Sequence, residues 1–356
     1  MDPERAEILI VGGGIAGLAT ALHLARAGQG GILLVDREPL PGSYASGHNA
    51  GIARQLTGRA EHTALTIQGR DRLAGAGLMT PSGGCLLGAE PGGTDALVRE
   101  AEDFGLAVVP GAGSPYPDLV AAEHLLIPGD GVIDAGAVLS HCADGARAGG
   151  ARLRYGCQVL GIHRLPEGFQ VTTDQGVIET RLLVNAAGAW AGVVGRLAGG
   201  LAIPFAPLRR HLLWSHTAYP QERMYTWWAD RPLYLRPESG GLLLCACEEQ
   251  AVALPAPGRQ PETDNAVLEA LADTLRQLSP GLAGLPVTRF WSGLRTFAPD
   301  RRFVLGPDPL NPHLFWVAGL GGHGMTSGLA VGHLAAQAIL HKGDAGVLDP
   351  RRLLTH

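Results

Sequence analysis

The sequence predicts an α/β protein carrying a second, α+β domain, and three observations predict it. A strand, a glycine turn, a helix and a second strand open the chain. Aromatic-rich segments of strand character fill its middle, between about residues 203 and 297. A last strand, glycine turn and long helix then rejoin the opening unit. At roughly 150 residues per domain, 356 residues suffice for about two domains, with a core large enough to need no metal or disulfide.

Glu7–Val11 is a short apolar run of the kind that forms a parallel strand buried on both faces. Gly12-Gly13-Gly14-Ile15-Ala16-Gly17 follows, then an apolar helical pattern (Leu18, Ala19, Leu22, Leu24, Ala25) that ends near Gly28. Ile32–Val35 is a second buried strand with Asp36 at its carboxyl end. In this order each part has a physical task. Gly12 allows the tight turn, Gly14 lets the backbone approach a pyrophosphate, and Gly17 lets helix and strand pack closely. The helix N-terminus offers free N–H groups to phosphate, and Asp36 is placed to accept from a ribose hydroxyl. The spacing and context match a Rossmann-type dinucleotide site without choosing between FAD and NAD.

The loop Pro41–Gly58 is too long for a structural turn and reads as ligand-lining. Asp134–Gly149 is a helix; Ala151–Tyr155, Val159–Arg164, Phe169–Thr173 and Leu182–Val184 are strands. The last passes through Asn185-Ala186-Ala187-Gly188-Ala189-Trp190, small residues that let a cofactor lie against the backbone. Leu208–His216, Met224–Trp228, Pro232–Arg236, Gly241–Cys245 and Val287–Phe297 then read as a mostly antiparallel sheet, interrupted by a helix over Glu262–Leu278. Strands Phe303–Leu305 and Leu314–Ala318, the turn Gly319–Gly324 and a helix over Met325–His341 complete the pattern. The expected division is a discontinuous cofactor domain (1–80, 130–202 and 298–356) and a substrate domain (81–129 and 203–297).

A formal charge of −5 and the absence of any Lys/Arg cluster exclude a basic nucleic-acid face. Five scattered cysteines (Cys85, Cys142, Cys157, Cys245, Cys247) lack finger-like Cys/His spacing, so no metal site is expected. Cys245 and Cys247 alternate on a strand and should face one side. Free buried thiols fit a reducing cytoplasm. The apolar stretch Ala6–Ala27 lacks a positive leading flank and a cleavage site, and its three glycines, His23 and Arg26 suit no spanning helix. A soluble, cytoplasmic chain without a transmembrane segment is expected.

Several stretches together resemble the D-amino-acid oxidase and glycine oxidase family of FAD enzymes, most of all its bacterial D-arginine dehydrogenase-like members. They are VGGGIAGLATALHLA, PGSYASGHNAG, GDGVIDAGAV, LVNAAGAWA, PLRRH, PLYLRPE, WSGLRTFAPD and FWVAGLGGHGMTSG, in the family's order from residue 7 to 342. The resemblance implies FAD as cofactor. It places Gly12, Gly14, Ile15, Ala16 and Gly17 at the pyrophosphate and Asp36 at the ribose, where the family more often has Glu. Arg37, Val159, Ala187, Gly188 and Trp190 would line the adenosine side. Ser46, His48, Asn49 and Ala50 would lie along the isoalloxazine, with Gly322, His323, Gly324, Met325 and Thr326 at its pyrimidine end. A helix N-terminus there would favour the charge of reduced flavin.

The resemblance also implies a substrate carboxylate held by Tyr234 and Arg295, the planar arginine fork suiting two parallel hydrogen bonds. Arg210 is a second contact, with one of Arg209 and Arg210 expected at solvent. Trp227 and Trp228 either wall the pocket or sit in the core. The implied chemistry is loss of the α-hydrogen as hydride to flavin, giving an imino acid, with a small amino acid or amine as substrate. A sarcosine-like secondary amine and a 2-hydroxy acid are the alternatives, as is a FAD subunit of a multi-component dehydrogenase. Two departures stand out: the family's acid for a substrate guanidinium is replaced by Pro81-Ser82-Gly83-Gly84, and its loop histidine by Ile52. Smaller or apolar amino acids are therefore expected. His48 lies near the position at which some relatives attach FAD covalently, and is expected free. Lys342 is the sole lysine and sits at the end of the last helix, so no lysine is placed to help flavin react with oxygen. Oxygen, a quinone or a partner protein is left as acceptor, with a lean toward a dehydrogenase.

Overall fold

The computed structural model describes residues 3–341, 343 and 345–354. Its first sheet has eight strands and is built around β1 (Glu4–Val11), which pairs in parallel with β2 (Ile32–Val35) on one side and with strand Gly176–Asn185 on the other. Between β1 and β2 runs helix α1 (Ile15–Arg26), buried over nearly its whole surface. That explains its unbroken apolar sequence: the helix is covered by the sheet, by helix Ala135–Ala148 and by helix Gly324–His341. Asp134 caps the second of these, accepting from Ala137 N at 3.0 Å. Strand Leu314–Ala318 extends the sheet in parallel from Gly176–Asn185, so the last helix, Gly324–His341, follows directly from the sheet's carboxyl edge.

The second sheet has nine strands. Ala206–Ser215 pairs with Arg289–Phe297, with the short Gln250–Ala251 and with Gly241–Cys245, and Tyr234–Glu238, Tyr225–Trp228, Gly84–Gly88, Glu123–Ile127 and Val109–Ala112 follow in that order. Every pairing is antiparallel except Tyr225–Trp228 with Gly84–Gly88. A small third sheet (Ile52–Ala53, Gly131–Ile133, Met79–Thr80) joins the long loop to both parts.

Three expectations shift. The helix expected from Glu262 starts at Ala266. Strand Gly241–Cys245 ends at Cys245, and Cys247 lies beyond it in a left-handed conformation (φ 54°). Its N–H nonetheless reaches the Cys245 sulfur at 3.3 Å, so the two thiols stay neighbours. Both Arg209 and Arg210 are only 8% exposed, so neither faces solvent. Two-residue alternation sends them to opposite faces, where Arg209 meets Gln250, Asp264 and the Glu262 carbonyl. Among the described residues no helix is long and apolar enough to cross a membrane. Lys342 lies outside the described residues.

Candidate active site

One elongated cavity of about 550 Å³ runs from the glycine turn after β1 to the face of the second sheet. At its first end Gly12 has φ 117°, a conformation open to glycine, and a Cβ there would come within 2.3 Å of the Ala186 carbonyl oxygen. Helix α1 begins at this turn with no side-chain cap and no acid in its first turn. Ile15 N donates to Ser46 Oγ at 3.0 Å; Gly12, Gly14, Ile15 and Ala16 line the cavity. Asp36 closes the far side, its two carboxylate oxygens accepting from Gly13 N (2.5 Å) and Glu38 N (2.8 Å). Burial nonetheless pushes its carboxyl above the usual range, the two N–H donors opposing. Arg37 lies flat on Trp190, its guanidinium carbon 3.9 Å from the ring centroid, and donates to Tyr44 Oη at 2.7 Å.

Of the cofactor residues expected from sequence, Gly12, Gly14, Ile15, Ala16, Asp36, Arg37, Ser46, His48, Asn49, Ala50, Val159, Ala187, Gly188, Trp190, Gly322, His323, Gly324, Met325 and Thr326 all line this cavity. Gly17 does not. A Cβ on it would stand 2.0 Å from Gly12 O, so its task is the close approach of helix to turn. Asn49 fixes the loop, its side chain donating to Ser46 O (2.7 Å) and accepting from Gly51 N (2.8 Å). A chamber with a glycine cradle, an uncapped helix end and a fixed acid one strand away fits the pyrophosphate and ribose of a dinucleotide.

At the other end, neighbouring strands set the side chains in a row. Arg210 stands opposite Gly293 and Leu208 opposite Arg295, so Arg210 and Arg295 share a face as diagonal neighbours. Tyr234 stands opposite Cys245 and Trp227 opposite Tyr234, the last two rings lying 4.5 Å apart. Tyr234 is 1% exposed; its hydroxyl has no conventional hydrogen-bond partner and lies beside the Cys245 thiol. Burial holds this phenol well above its ordinary pKa, so it stays a neutral donor. Burial alone would raise the Cys245 thiol as well. Its hydrogen bond with Cys247 and the charges of Arg210 and Arg295 win instead, drawing it down to about 6. Arg210 donates to Glu248 O (3.2 Å) and Glu249 Oε1 (3.1 Å). Trp227 lines the cavity, whereas Trp228 is wholly buried in the core behind it.

Two groups at this end escaped the sequence reading. Arg54, from the ligand loop, stacks over Trp227 with its guanidinium carbon 4.1 Å from the ring centroid, and burial lowers its pKa. Its signal was a lone arginine in the apolar run Ile52-Ala53-Arg54-Gln55-Leu56. His62, from helix Ala60–Gly75, stacks on Phe303 at 4.1 Å, and burial lowers its pKa to about 4. Neighbouring His323 has Nε2 3.5 Å from Arg54 Nη2, and Nδ1 without a partner. Burial first, then the Arg54 charge, depress its pKa strongly, so it is a neutral imidazole at neutral pH.

Residues 7–338 match the DAO family model, described as FAD dependent oxidoreductase. The chain is 27% identical over 392 residues to mitochondrial dimethylglycine dehydrogenase of Mus musculus, an alignment covering 98% of this chain and 44% of that protein. It thus spans less than half of that relative's length. In fold it is similar to L-proline dehydrogenase from P. horikoshii (TM-score 0.87, 22% identity, 99% and 98% of the two chains). It is similar also to glycine oxidase from Geobacillus kaustophilus (TM-score 0.82, 24% identity, 99% of each chain).

Proposed function

The chain belongs to the DAO family of FAD-dependent oxidoreductases, and from that premise we propose that it oxidises the C–N bond of an amino acid or an N-methylated amino acid. In this reading a hydrogen on carbon next to the nitrogen leaves as hydride, giving an iminium ion that water hydrolyses. FAD, when bound along the cavity, supplies the two-electron acceptor. Residues 1–80, 130–202 and 298–356 serve the cofactor, and residues 81–129 and 203–297 the substrate.

The observation that carries this reading is the pairing of an arginine that has no carboxylate with a phenol that has no conventional partner. Arg295 lines the cavity without an ion pair to any described acid, and the Tyr234 hydroxyl lies in the same row. Two N–H groups of Arg295 and the O–H of Tyr234 would hold a carboxylate, fixing the α-carbon next to it. Positioning of the C–H bond then supplies most of the rate, so no strong base is required of the protein. The turn 319–324 and Trp227 line the cavity around that position. Dimethylglycine dehydrogenase among the relatives favours an N-methylated substrate over a primary amine. Oxygen, a quinone or a partner protein receives the electrons afterwards.

The test is the absorbance spectrum of the purified protein before and after anaerobic addition of D- and L-amino acids, sarcosine and dimethylglycine. A yellow protein bleached by one of them supports the reading. A yellow protein bleached by none, but bleached by a 2-hydroxy acid, refutes the C–N assignment.

A further inference from the structure

Six arginines line the cavity: Arg37, Arg54, Arg59, Arg210, Arg295 and Arg301. Arg37 is paired with Glu38, and Arg210 and Arg301 share Glu249. Arg59 is exposed and donates to the Asp300 carbonyl. Arg54 and Arg295, both half-buried, make no ion pair with a described carboxylate; Arg59 makes none either, but it lies in solvent. Asp130, whose charge is felt at Arg54, is already engaged. Its Oδ1 accepts from Gln55 N and Nε2 at 3.1 and 3.0 Å, and its Oδ2 from the Tyr225 hydroxyl. A half-buried guanidinium lining a cavity with no carboxylate beside it leaves its charge available to an anion that enters.

The two cations enter from opposite ends of the row. Arg295 comes from strand Arg289–Phe297, beside Gly322, where a Cβ would stand 3.0 Å from Arg295 Nη1. Arg54 sits over Trp227, on strand Tyr225–Trp228. Three strands, Ala206–Ser215, Gly241–Cys245 and Tyr234–Glu238, lie between those two in the sheet. Its contact with the indole limits where the Arg54 guanidinium can move, and a guanidinium can donate two parallel N–H groups to a carboxylate. Among the described residues, neutral His323 is the one polar side chain hydrogen-bonded to it.

We propose that the substrate is an amine bearing two carboxylates, one held by Arg295 with Tyr234 and the other by Arg54. This rests on the amine-oxidising reading above and names its substrate class. It also replaces the expectation of a smaller or apolar amino acid, which followed from the missing acid at 81–84 and the Ile52 departure; Pro81–Gly84 does not reach the cavity lining.

The test begins with binding of unreactive acids to the FAD-loaded protein, read by perturbation of the flavin spectrum and by melting temperature. Acetate and propionate are compared with malonate, succinate and glutarate. The best dicarboxylate should bind about 30- to 100-fold more tightly than either monocarboxylate, as a second charge-assisted pair requires. Arg54→Gln should bring that ratio close to one, and Arg54→Lys should restore part of it. Equal binding of mono- and dicarboxylates by the unmodified protein overturns the proposal without any variant. So does an Arg54→Gln protein that loses both classes equally, which would mean one carboxylate shared by both arginines. Anaerobic flavin reduction by iminodiacetate against sarcosine then separates the two readings. Bleaching by sarcosine alone refutes the dicarboxylate class and leaves amine oxidation standing. No bleaching by any amine, with the Arg54-dependent preference intact, refutes the amine reaction and leaves the two-anion site standing.

Discussion

Arg295→Met isolates the carboxylate anchor, because it removes the guanidinium and keeps most of the aliphatic stem. A bidentate arginine–carboxylate pair is two charge-assisted hydrogen bonds, each worth about 1.5–3 kcal/mol when the partner is left in place. Tyr234 retains its share of the contact, so the net loss should be about 3–4 kcal/mol, or about 150- to 1000-fold in kcat/KM. Stability should move the other way. Arg295 has no acid partner to abandon, and replacing an unpaired cation by an apolar side chain is neutral or favourable, so Tm should stay level or rise by about 1–3 °C. The assay is single-turnover anaerobic flavin reduction, with thermal denaturation and flavin content measured on the same preparation. A change under about tenfold with full flavin content refutes the anchor. A fall in Tm of more than about 5 °C with loss of flavin would instead make Arg295 a structural residue.

Arg210→Met provides the contrast: it abandons Glu249 and the Glu248 carbonyl, and should lower stability by about 1–3 kcal/mol in denaturant titrations. Gly17→Val places a side chain on the Gly12 carbonyl, 2.0 Å from its Cβ. It should cost about 3 kcal/mol or more and leave most of the purified protein without flavin, read from the ratio of flavin to protein absorbance. His62 and His23 each have folded-state pKa values lowered to about 4 from 6.5, mainly by burial. The unfolded chain therefore takes up their protons first, so stability is full above pH 6.5 and falls as pH drops from 6.5 to 4. For His62, 2% exposed, the loss is about 3 kcal/mol, and His62→Phe should flatten that part of a pH series of denaturation midpoints. His48→Ala should retain yellow flavin that acid precipitation releases, as from the parent protein. Flavin that stays with the parent's pellet but leaves the variant's would show a covalent bond to His48.

The elements read most easily from sequence are those whose pattern is local. β2 and strand Leu314–Ala318 fall on the expected residues, because buried parallel strands are unbroken apolar runs between turns. Helix Ala135–Ala148 was legible through its Asp134 cap. Helix Ala60–Gly75 was not, since the face it buries includes His62, Thr63 and Thr66, which spoil an apolar stripe. Strand Gly84–Gly88 was missed because its hydrogen bonds go to Tyr225–Trp228 and Glu123–Ile127, both far along the chain.

The site divides in the same way. By itself the sequence determined the βαβ unit that begins the cofactor chamber, because the order and spacing of Gly12, Gly14 and Asp36 are local. Tyr234 and Arg295 entered as candidates through the resemblance of PLYLRPE and WSGLRTFAPD to stretches of the family. Only the tertiary structure decided which arginines carry unmatched charge. Arg209 and Arg210 are adjacent in sequence, yet the pleat sends them to different partners. Arg54 and Arg295 are 241 residues apart, yet line one cavity. Whether a cation is paired depends on which acids the fold brings within reach, and that is a property of packed strands and loops which no local window of sequence contains.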